Sequence, residues 1–101
     1  MNTDEGKRAV ERLQELGLKT YEARCLVGLT RTGVATAREL AEATDVPRTR
    51  VYDAVRVLED RGLVEIQHAS PQRFRPVPVD EVVDTLRDQF EPRITELEAA
   101  L

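Results

Sequence analysis

The stretch from Ala35 to Ile66 decides the fold, and it reads ATARELAEATDVPRTRVYDAVRVLEDRGLVEI. Thr36 and Glu39 have the spacing of a capping box, in which each side chain accepts a hydrogen bond from the other residue's backbone N–H. A helix is therefore predicted to begin at about Ala37. Its apolar periodicity fails at residues 44–45, where short polar side chains compete with helical backbone bonds. This first motif helix is thus predicted to be barely two turns long.

A second helix follows after three or four residues and is predicted to run from Pro47 to about Arg61. Proline suits the first helical position, because its fixed φ is already helical and its missing N–H would be unpaired there. Gly62 can take the left-handed conformation that ends a helix. Two helices joined by so short a turn form a helix-turn-helix arrangement.

The faces of the second motif helix follow from a rotation of about 100° per residue. Its apolar side chains cluster on one side, and those predicted to face the core are Val51, Ala54, Val55 and Leu58. The opposite side carries the guanidinium and hydroxyl groups that major-groove reading requires. The side chains expected to contact bases are Thr49, Tyr52, Asp53 and Arg56. Those expected to contact phosphates are Arg48 and Arg50.

A β-hairpin is predicted after Gly62, where the helical period gives way to alternation. Residues 63–67 form its first strand, residues 68–72 its turn and residues 73–75 its second strand. A hairpin directly after a recognition helix makes the module a winged helix. The predicted fold class is therefore mainly α with a small β-hairpin (α+β).

The wing supplies further candidate DNA contacts. Alternation puts Phe74 on the core side and Arg73 and Arg75 on the outer side, where they could reach a phosphate backbone. His68 lies in the wing turn and could also contact a phosphate. Arg38, near the start of the first motif helix, completes the candidate DNA-binding set.

The N-terminal third is predicted to be scaffold. One helix follows the acidic pair at residues 4–5 and ends at Gly17. Another runs from about Tyr21, with Thr20 as its N-cap, and stops at Gly33. No residue of this part suggests chemistry beyond packing.

The tail has apolar residues at spacings of 4, 3, 4, 4, 3 and 4 from Val79 onward, which is the pattern of a coiled-coil seam. Pro92 interrupts the strict alternation and should kink the helix. The predicted dimerisation residues are Val83, Leu86, Phe90, Ile94, Leu97 and Leu101. A single helix with one apolar stripe needs a partner, and its own copy in a two-fold dimer is the commonest. A pseudo-palindromic operator would follow.

Three segments of the chain resemble the TrmB-type archaeal transcriptional regulators. They are LGLKTYEA at residues 16–23, VPRTRVYDA at residues 46–54 and RFRPVP at residues 73–78. The resemblance implies a winged-helix repressor or activator whose DNA-recognition helix opens with Arg48, Thr49, Arg50 and Tyr52. Many members of that family also carry a C-terminal effector domain that binds sugars, for which a chain of 101 residues has no room.

Composition suits one small domain, since 41% of 101 residues are hydrophobic. We expect a DNA-binding unit over residues 1–78 and a dimerisation helix over residues 79–101. The chain has no run of about 18 apolar residues for a membrane span, and residues 1–10 lack the apolar core of a signal peptide. A cytoplasmic protein without membrane contact is expected.

The net charge of −4 is unusual for a DNA-binding protein. Residues 1–30 carry five basic and five acidic side chains, residues 31–75 carry eight and seven, and residues 76–101 carry two and seven. The negative excess therefore lies in the tail, but the reading module is only weakly basic. Either the host has a very salty cytoplasm, where counterion release contributes little, or the module binds protein.

Catalysis, metal binding and cofactors find no support in the sequence. One cysteine and one histidine cannot supply the usual four ligands of a structural zinc site, and no glycine-rich phosphate loop is present. Cys25 is interpreted as a small core residue rather than a thiol sensor. The chain is not expected to be an enzyme.

One competing function stays open, namely a winged helix used for protein docking, because a fold does not fix a function. The arginines of the second motif helix would then be solvated charges that pair with Asp53, Glu59 and Asp60.

Overall fold

The computed structural model describes residues 3–101, so Met1 and Asn2 of the expected 1–78 unit lie outside the described residues. Over this range the chain forms five helices and one two-stranded antiparallel hairpin, which confirms the predicted mainly α class. In chain order the elements are α1 (Thr3–Glu15), α2 (Thr20–Thr32), α3 (Ala37–Thr44), α4 (Arg48–Asp60), β1 (Val64–Gln67), β2 (Arg73–Pro76) and α5 (Val79–Ala100).

The core lies where α2 packs against α1, α3, α4 and β2. All four side chains that helical periodicity assigned to the inner face of α4 are buried: Val51, Ala54, Val55 and Leu58. They meet buried leucines of α2 and α3, among them Leu29 and Leu40. This burial confirms the predicted inner face of α4. The physical reason is that an amphipathic helix on a small domain buries its apolar stripe.

The short helix α3 begins as its capping box predicts. The Thr36 N–H donates to Glu39 Oε1 at 2.9 Å, and the Glu39 N–H donates to Thr36 Oγ1 at 3.2 Å. The helix ends at Thr44, and Asp45 follows in the left-handed conformation at φ 58°. Aspartate tolerates that conformation better than most residues, so the chain can turn sharply here.

The second motif helix, α4, begins one residue later than predicted. Pro47 has ψ 135° and is the N-cap, so Arg48 is the first helical residue. The extended ψ lets the chain enter the helix from the turn, while Pro47 still provides the carbonyl that accepts from Val51 N–H. The predicted end is confirmed, because α4 ends at Asp60 with Arg61 as its C-cap, and Gly62 follows with φ 77°.

Gly28, in the middle of α2, allows α3 to approach closely. A Cβ at this position would lie 2.4 Å from Thr44 Cγ2 and 3.2 Å from Leu40 Cδ1. The interior of α2 therefore lacks a side chain where α3 crosses it. This contact between α2 and α3 was not predicted from the sequence.

The predicted N-cap of α2, Thr20, is wrong. The N-cap is Lys19, whose backbone N–H donates to Glu22 Oε1 at 3.0 Å. Thr20 is already helical, and its hydroxyl instead accepts from Gln14 Nε2 at 2.9 Å. The Thr20 hydroxyl therefore contacts α1 instead of capping α2, and no local sequence pattern indicates this contact. Gly33 ends the helix as predicted.

The hairpin forms with Ile66 opposite Phe74 and Glu65 opposite Arg75. The first strand begins at Val64, one residue later than expected. Phe74 is buried, as alternation predicted, and its backbone also pairs with Ala35 through two hydrogen bonds of 3.0 and 2.7 Å. This bridge ties the hairpin to the segment before α3.

The tail is a single helix that contains Pro92. Its first turns pack on the rest of the chain through Val82 and Leu86, which are 8% and 7% exposed. Leu86, predicted as a dimerisation residue, is therefore a core residue of its own chain. Val82, outside the predicted seam, shares that role because it lies one turn before Leu86 on the same face.

Candidate nucleic-acid interface

The first turns of α4 present a polar and basic surface. All the candidate contact residues of this helix except Tyr52 are exposed: Arg48, Thr49, Arg50, Asp53 and Arg56. The buried apolar stripe on the opposite side holds the helix against α2 and α3. The structure thus places these side chains on the solvent side, as helical periodicity predicted.

Tyr52 differs from the other candidate residues of α4, because it is half-buried and packs against the core. Its ring meets Phe74 edge-on, with 6.2 Å between ring centroids and 84° between ring planes. Such edge-to-face contacts between aromatic rings are favourable. The ring therefore connects the recognition helix to the hairpin, and a base contact by Tyr52 stays a prediction.

Arg50 lies against α2. Its guanidinium is 5.9 Å from the ring centroid of Tyr21, within the range of a cation–π interaction. Arg50, Tyr21 and Lys19 line a surface cleft between α2 and α4. Tyr21 was not predicted as part of this surface, since it is 29 positions from Arg50 and no local spacing pairs the two.

The outer face of the hairpin carries both wing arginines, which are exposed as predicted. Arg75 Nη1 lies 3.9 Å from Glu65 Oε2 across the two strands. Arg73 lies close enough to Glu39 to affect its titration. The pKa of Glu39 is lowered chiefly by the Thr36 backbone N–H, then by the Thr36 side chain and by the positive charge of Arg73.

The two remaining candidates are both exposed. His68, in the wing turn, has its Nδ1 atom 3.3 Å from Nε2 of Gln72. Arg38, in the first turn of α3, places its Nε atom 3.3 Å from Glu42 Oε1. A similar arrangement occurs on α4, where Arg56 Nη2 lies 3.9 Å from Asp53 Oδ1.

Helix α4 is also held in place at its C-terminal end. Arg61 donates from Nε and Nη2 to Gln89 Oε1 at 3.2 and 2.8 Å, and Gln89 Nε2 donates back to the Arg61 carbonyl at 3.0 Å. This reciprocal contact joins the end of α4 to α5. The orientation of α5 is thereby coupled to that of the recognition helix.

Cys25 is a buried, free thiol, which confirms its interpretation as a core residue. Burial raises its pKa to about 12, so the thiol stays protonated and unreactive near neutral pH. Within residues 3–101, no three His, Cys, Asp or Glu side chains form a group that could hold a metal ion. None of the helices in that range is long and apolar enough to span a membrane.

The helix-turn-helix, the hairpin after it and the exposed start of α4 define a winged helix-turn-helix domain. Solved structures at low identity share this fold. For example, BpsR of Bordetella bronchiseptica is 19% identical with a TM-score of 0.62, over 89% of this chain and 70% of that one. Residues 13–80 also match the family model described as "sugar-specific transcriptional regulator TrmB". The chain belongs to the TrmB family.

Curated relatives in this family are named as regulators. The DNA-binding transcriptional repressor TrmBL2 of Thermococcus kodakarensis is 39% identical over 90 residues, which are 88% of this chain and 34% of that protein. The sugar-sensing regulator TrmBL1 of Pyrococcus furiosus is 30% identical over 91 residues, which are 90% of this chain and 27% of that protein. This chain thus spans about a third of the length of the relatives it matches.

A solved structure of TrmBL2 superimposes with a TM-score of 0.85 at 38% identity, covering 94% of this chain and 38% of that one. It is described as an archaeal chromatin protein with a novel mode of DNA binding. These relatives are transcriptional regulators, and TrmBL2 is also described as a chromatin protein; none of them is named as an enzyme.

Proposed function

We propose that this chain acts as a sequence-specific DNA-binding transcriptional regulator. The observation that carries the proposal is the exposed start of α4, which presents Arg48, Thr49 and Arg56 beside a wing held to the same helix through Tyr52 and Phe74. A major groove admits one α-helix, and its base edges are read by guanidinium, hydroxyl and carboxylate groups. The DNA-binding names of the TrmB relatives support the same function.

The candidate contacts divide by the chemistry of their side chains. Base edges would be read by Thr49, Tyr52, Asp53 and Arg56. Phosphates would be contacted by Arg38, Arg48, Arg50, His68, Arg73 and Arg75. Phosphate contacts fix the register of the helix on the duplex, and base contacts supply the sequence preference.

We propose that the regulator acts as a homodimer through α5, with residues 1–78 as its DNA-binding unit and residues 79–101 as its dimerisation helix. Beyond Pro92 three large apolar side chains are exposed: Ile94 at 62% and Leu97 at 56% in α5, and Leu101 at 96% directly after it. Val83 and Phe90 extend this surface toward the core, and Val83 is 39% exposed. A second copy would bury such a stripe by coiled-coil packing. Two-fold symmetry would then match a pseudo-palindromic operator.

Selection from a pool of random duplexes tests the specificity and the symmetry together. The enriched sequences should contain two half-sites related by two-fold symmetry, about one helical turn or a multiple apart. A single asymmetric half-site would refute the dimeric arrangement. Absence of any enriched motif would refute sequence-specific binding.

Arg56→Ala tests the recognition face directly. It should weaken binding to the selected duplex by about 1–3 kcal/mol and relax the preference at one base pair, since one side-chain contact to a base edge is lost. The matched control is Arg8→Ala on α1, an exposed arginine with the same change in charge that lies outside the proposed DNA and dimer contacts. Equal losses for both variants would show that only net charge matters.

A second candidate function is sequence-independent coating of DNA. It is favoured by the likeness to TrmBL2, which is described as a chromatin protein. Equal affinity for the selected duplex and a scrambled duplex would support this function. No binding to either duplex at any salt concentration would instead favour a winged helix that docks protein.

We further infer a cytoplasmic protein of a host with a salty interior. Support comes from 19 acidic against 15 basic side chains, of which only Lys7 and Lys19 are lysines. At high ionic strength counterion release contributes little to DNA binding, so a strongly basic surface is less necessary.

A further inference from the structure

The start of α2 meets α4 on the flank opposite the wing. Tyr52 and Arg50 are two positions apart, which places their side chains about 200° apart around the helix axis. Tyr52 contacts Phe74 of the hairpin, whereas Arg50 contacts Tyr21 of α2. The hairpin and the start of α2 therefore lie on opposite sides of the exposed face of α4.

The α2 flank of α4 carries two cations, Lys19 and Arg50, which are both exposed and line the same cleft. Neither belongs to an ion pair in the described part of the chain. Two carboxylates also line the cleft, but each faces another group. Glu22 Oε1 accepts from the Lys19 backbone N–H at 3.0 Å. Asp53 Oδ1 lies 3.9 Å from Arg56 Nη2. An incoming anion therefore has no ion pair to break here.

Tyr21 holds Arg50 on this flank and leaves its donors available. The Arg50 guanidinium is 5.9 Å from the centroid of the Tyr21 ring. The ring is itself half-buried and packs against the core, which fixes its position. A guanidinium has five N–H donors, and an uncharged ring attracts it without offering carboxylate oxygens that compete with a phosphate. Arg50 is therefore directed by the ring and still able to donate to an anion.

We propose that Lys19, Tyr21 and Arg50 form a phosphate-binding subsite on the α2 flank of α4, in which Tyr21 positions Arg50. A helix in the major groove lies between the two phosphate backbones that border the groove. With the wing beside one backbone, the α2 flank faces the other. This inference rests on the proposed DNA-binding function and adds Lys19 and Tyr21 to its contacts.

The contribution of Tyr21 comes from the arrangement of Arg50 that it favours. An unrestrained arginine samples many rotamers, and binding must select one that reaches the phosphate. A cation–π contact at an exposed site favours one arrangement about two- to fivefold. Because apparent affinity scales with the population of the binding-competent arrangement, loss of the ring should weaken binding by the same factor.

The test of the two cations measures affinity at graded KCl by fluorescence anisotropy, on a duplex selected by the wild type and on a scrambled duplex. Lys19→Gln and Arg50→Gln should each weaken both complexes and make the salt slope shallower by about 0.9, the value for one phosphate contact. The matched control is Lys7→Gln, at an exposed lysine that lines a different cleft, between α1, α2 and the end of α3. It makes the same change in charge and should leave the slope unaltered.

The test of Tyr21 uses a double-mutant cycle. Tyr21→Leu removes the ring and should weaken both complexes about two- to fivefold at an unaltered salt slope, because Arg50 keeps its charge and still reaches the phosphate. Tyr21→Phe keeps the ring and should bind like the wild type. In an Arg50→Gln background, Tyr21→Leu should have no further effect, whereas a merely structural role of the ring would lower affinity again. Thermal melting checks that each variant is folded, and exposed Lys19 still tests the subsite if Tyr21→Leu unfolds.

Ethylation interference tests the placement of the subsite on the second backbone. Within one half-site of the selected duplex, Lys19→Gln and Arg75→Gln should abolish interference at phosphates of opposite strands. Losses on the same strand for both variants would contradict this placement.

Unchanged salt slopes for Lys19→Gln and Arg50→Gln, or an equal change for Lys7→Gln, would overturn the subsite. A further loss when Tyr21→Leu is added to Arg50→Gln would overturn the positioning role of Tyr21. If the wild type discriminates between the duplexes and both slopes are unchanged, this inference alone fails. If the wild type binds the two duplexes equally, sequence specificity fails while the slopes still decide the subsite. If it binds neither, the proposed function fails and the subsite falls with it.

Discussion

Phe74→Ala is expected to destabilise the protein strongly and to detach the wing from the recognition helix. Phe74 is 1% exposed, so its whole ring is removed from water. The ring also meets Tyr52 edge-on and lies opposite Ile66 in the hairpin. The substitution therefore removes a buried aromatic side chain and the contact that connects the hairpin to α4.

The cost follows from burial and from the size of the cavity. Truncation of a fully buried phenylalanine to alanine costs about 3–5 kcal/mol. The stability of a whole domain is only about 5–15 kcal/mol, so a large part would be lost. At roughly 4–8 °C per kcal/mol for a domain of this size, the melting temperature should fall by about 12–40 °C.

Thermal unfolding followed by circular dichroism measures this effect. Ile66→Ala is the matched control, because Ile66 is half-buried in the same hairpin. Ile66→Ala should destabilise the protein roughly half as much, because folding buries less of the apolar area of Ile66 than of Phe74. A melting temperature for Phe74→Ala within about 5 °C of the wild type would refute the reasoning, because a 3 kcal/mol loss cannot produce so small a shift.

Three further predictions concern α3 and α5. Glu39→Gln should destabilise the protein near neutral pH but match the wild type in acid, because the ionised Glu39 adds stability that is lost as the pH falls through its lowered pKa. Urea unfolding measures this, and a difference in midpoints that persists in acid would contradict the prediction. Gln89→Ala should lower the free energy of unfolding in urea by about 1 kcal/mol, because the hydrogen bonds with Arg61 are lost while water can reach the freed groups. Asp88→Ala, at the exposed neighbouring position, should lower it by almost nothing. Leu97→Ser should shift sedimentation from dimer toward monomer without changing the far-UV spectrum, since Leu97 is 56% exposed; an unchanged dimer would exclude Leu97 from the interface.

Local signals predicted most of the secondary structure. The capping box at Thr36 and Glu39, the left-handed Gly62 and the buried face of α4 depend on residues within a few positions of one another. Short-range backbone chemistry sets these features, so spacing alone reveals them. The predicted helix starts near Pro47 and Thr20 were each wrong by one residue. Both residues suit the N-cap and also the first helical position, so the sequence alone does not distinguish the two positions.

Contacts between distant segments were not predictable in the same way. Tyr21 meets Arg50, and Gln89 meets Arg61, although each pair is separated by more than 25 positions. The burial of Leu86 within its own chain was not predicted, for a related reason. Two apolar stripes of α5 overlap at Leu86, and spacing cannot tell which stripe faces the core.

For the candidate interface, the sequence predicted which side chains are exposed but not what they contact. Glu65 and Arg75 are paired only through the register of the hairpin, which depends on strand alignment. The weakly basic charge of the module is consistent with these pairs, because several arginines are balanced by carboxylates close in space.

The most direct test of the central claim is the affinity of the wild-type protein for its selected duplex relative to a scrambled duplex, at graded salt. The proposed regulator should prefer the selected duplex at least about 10³-fold, and its preference should persist as salt weakens both complexes. Equal affinity for the two duplexes at every salt concentration would contradict sequence-specific recognition by α4.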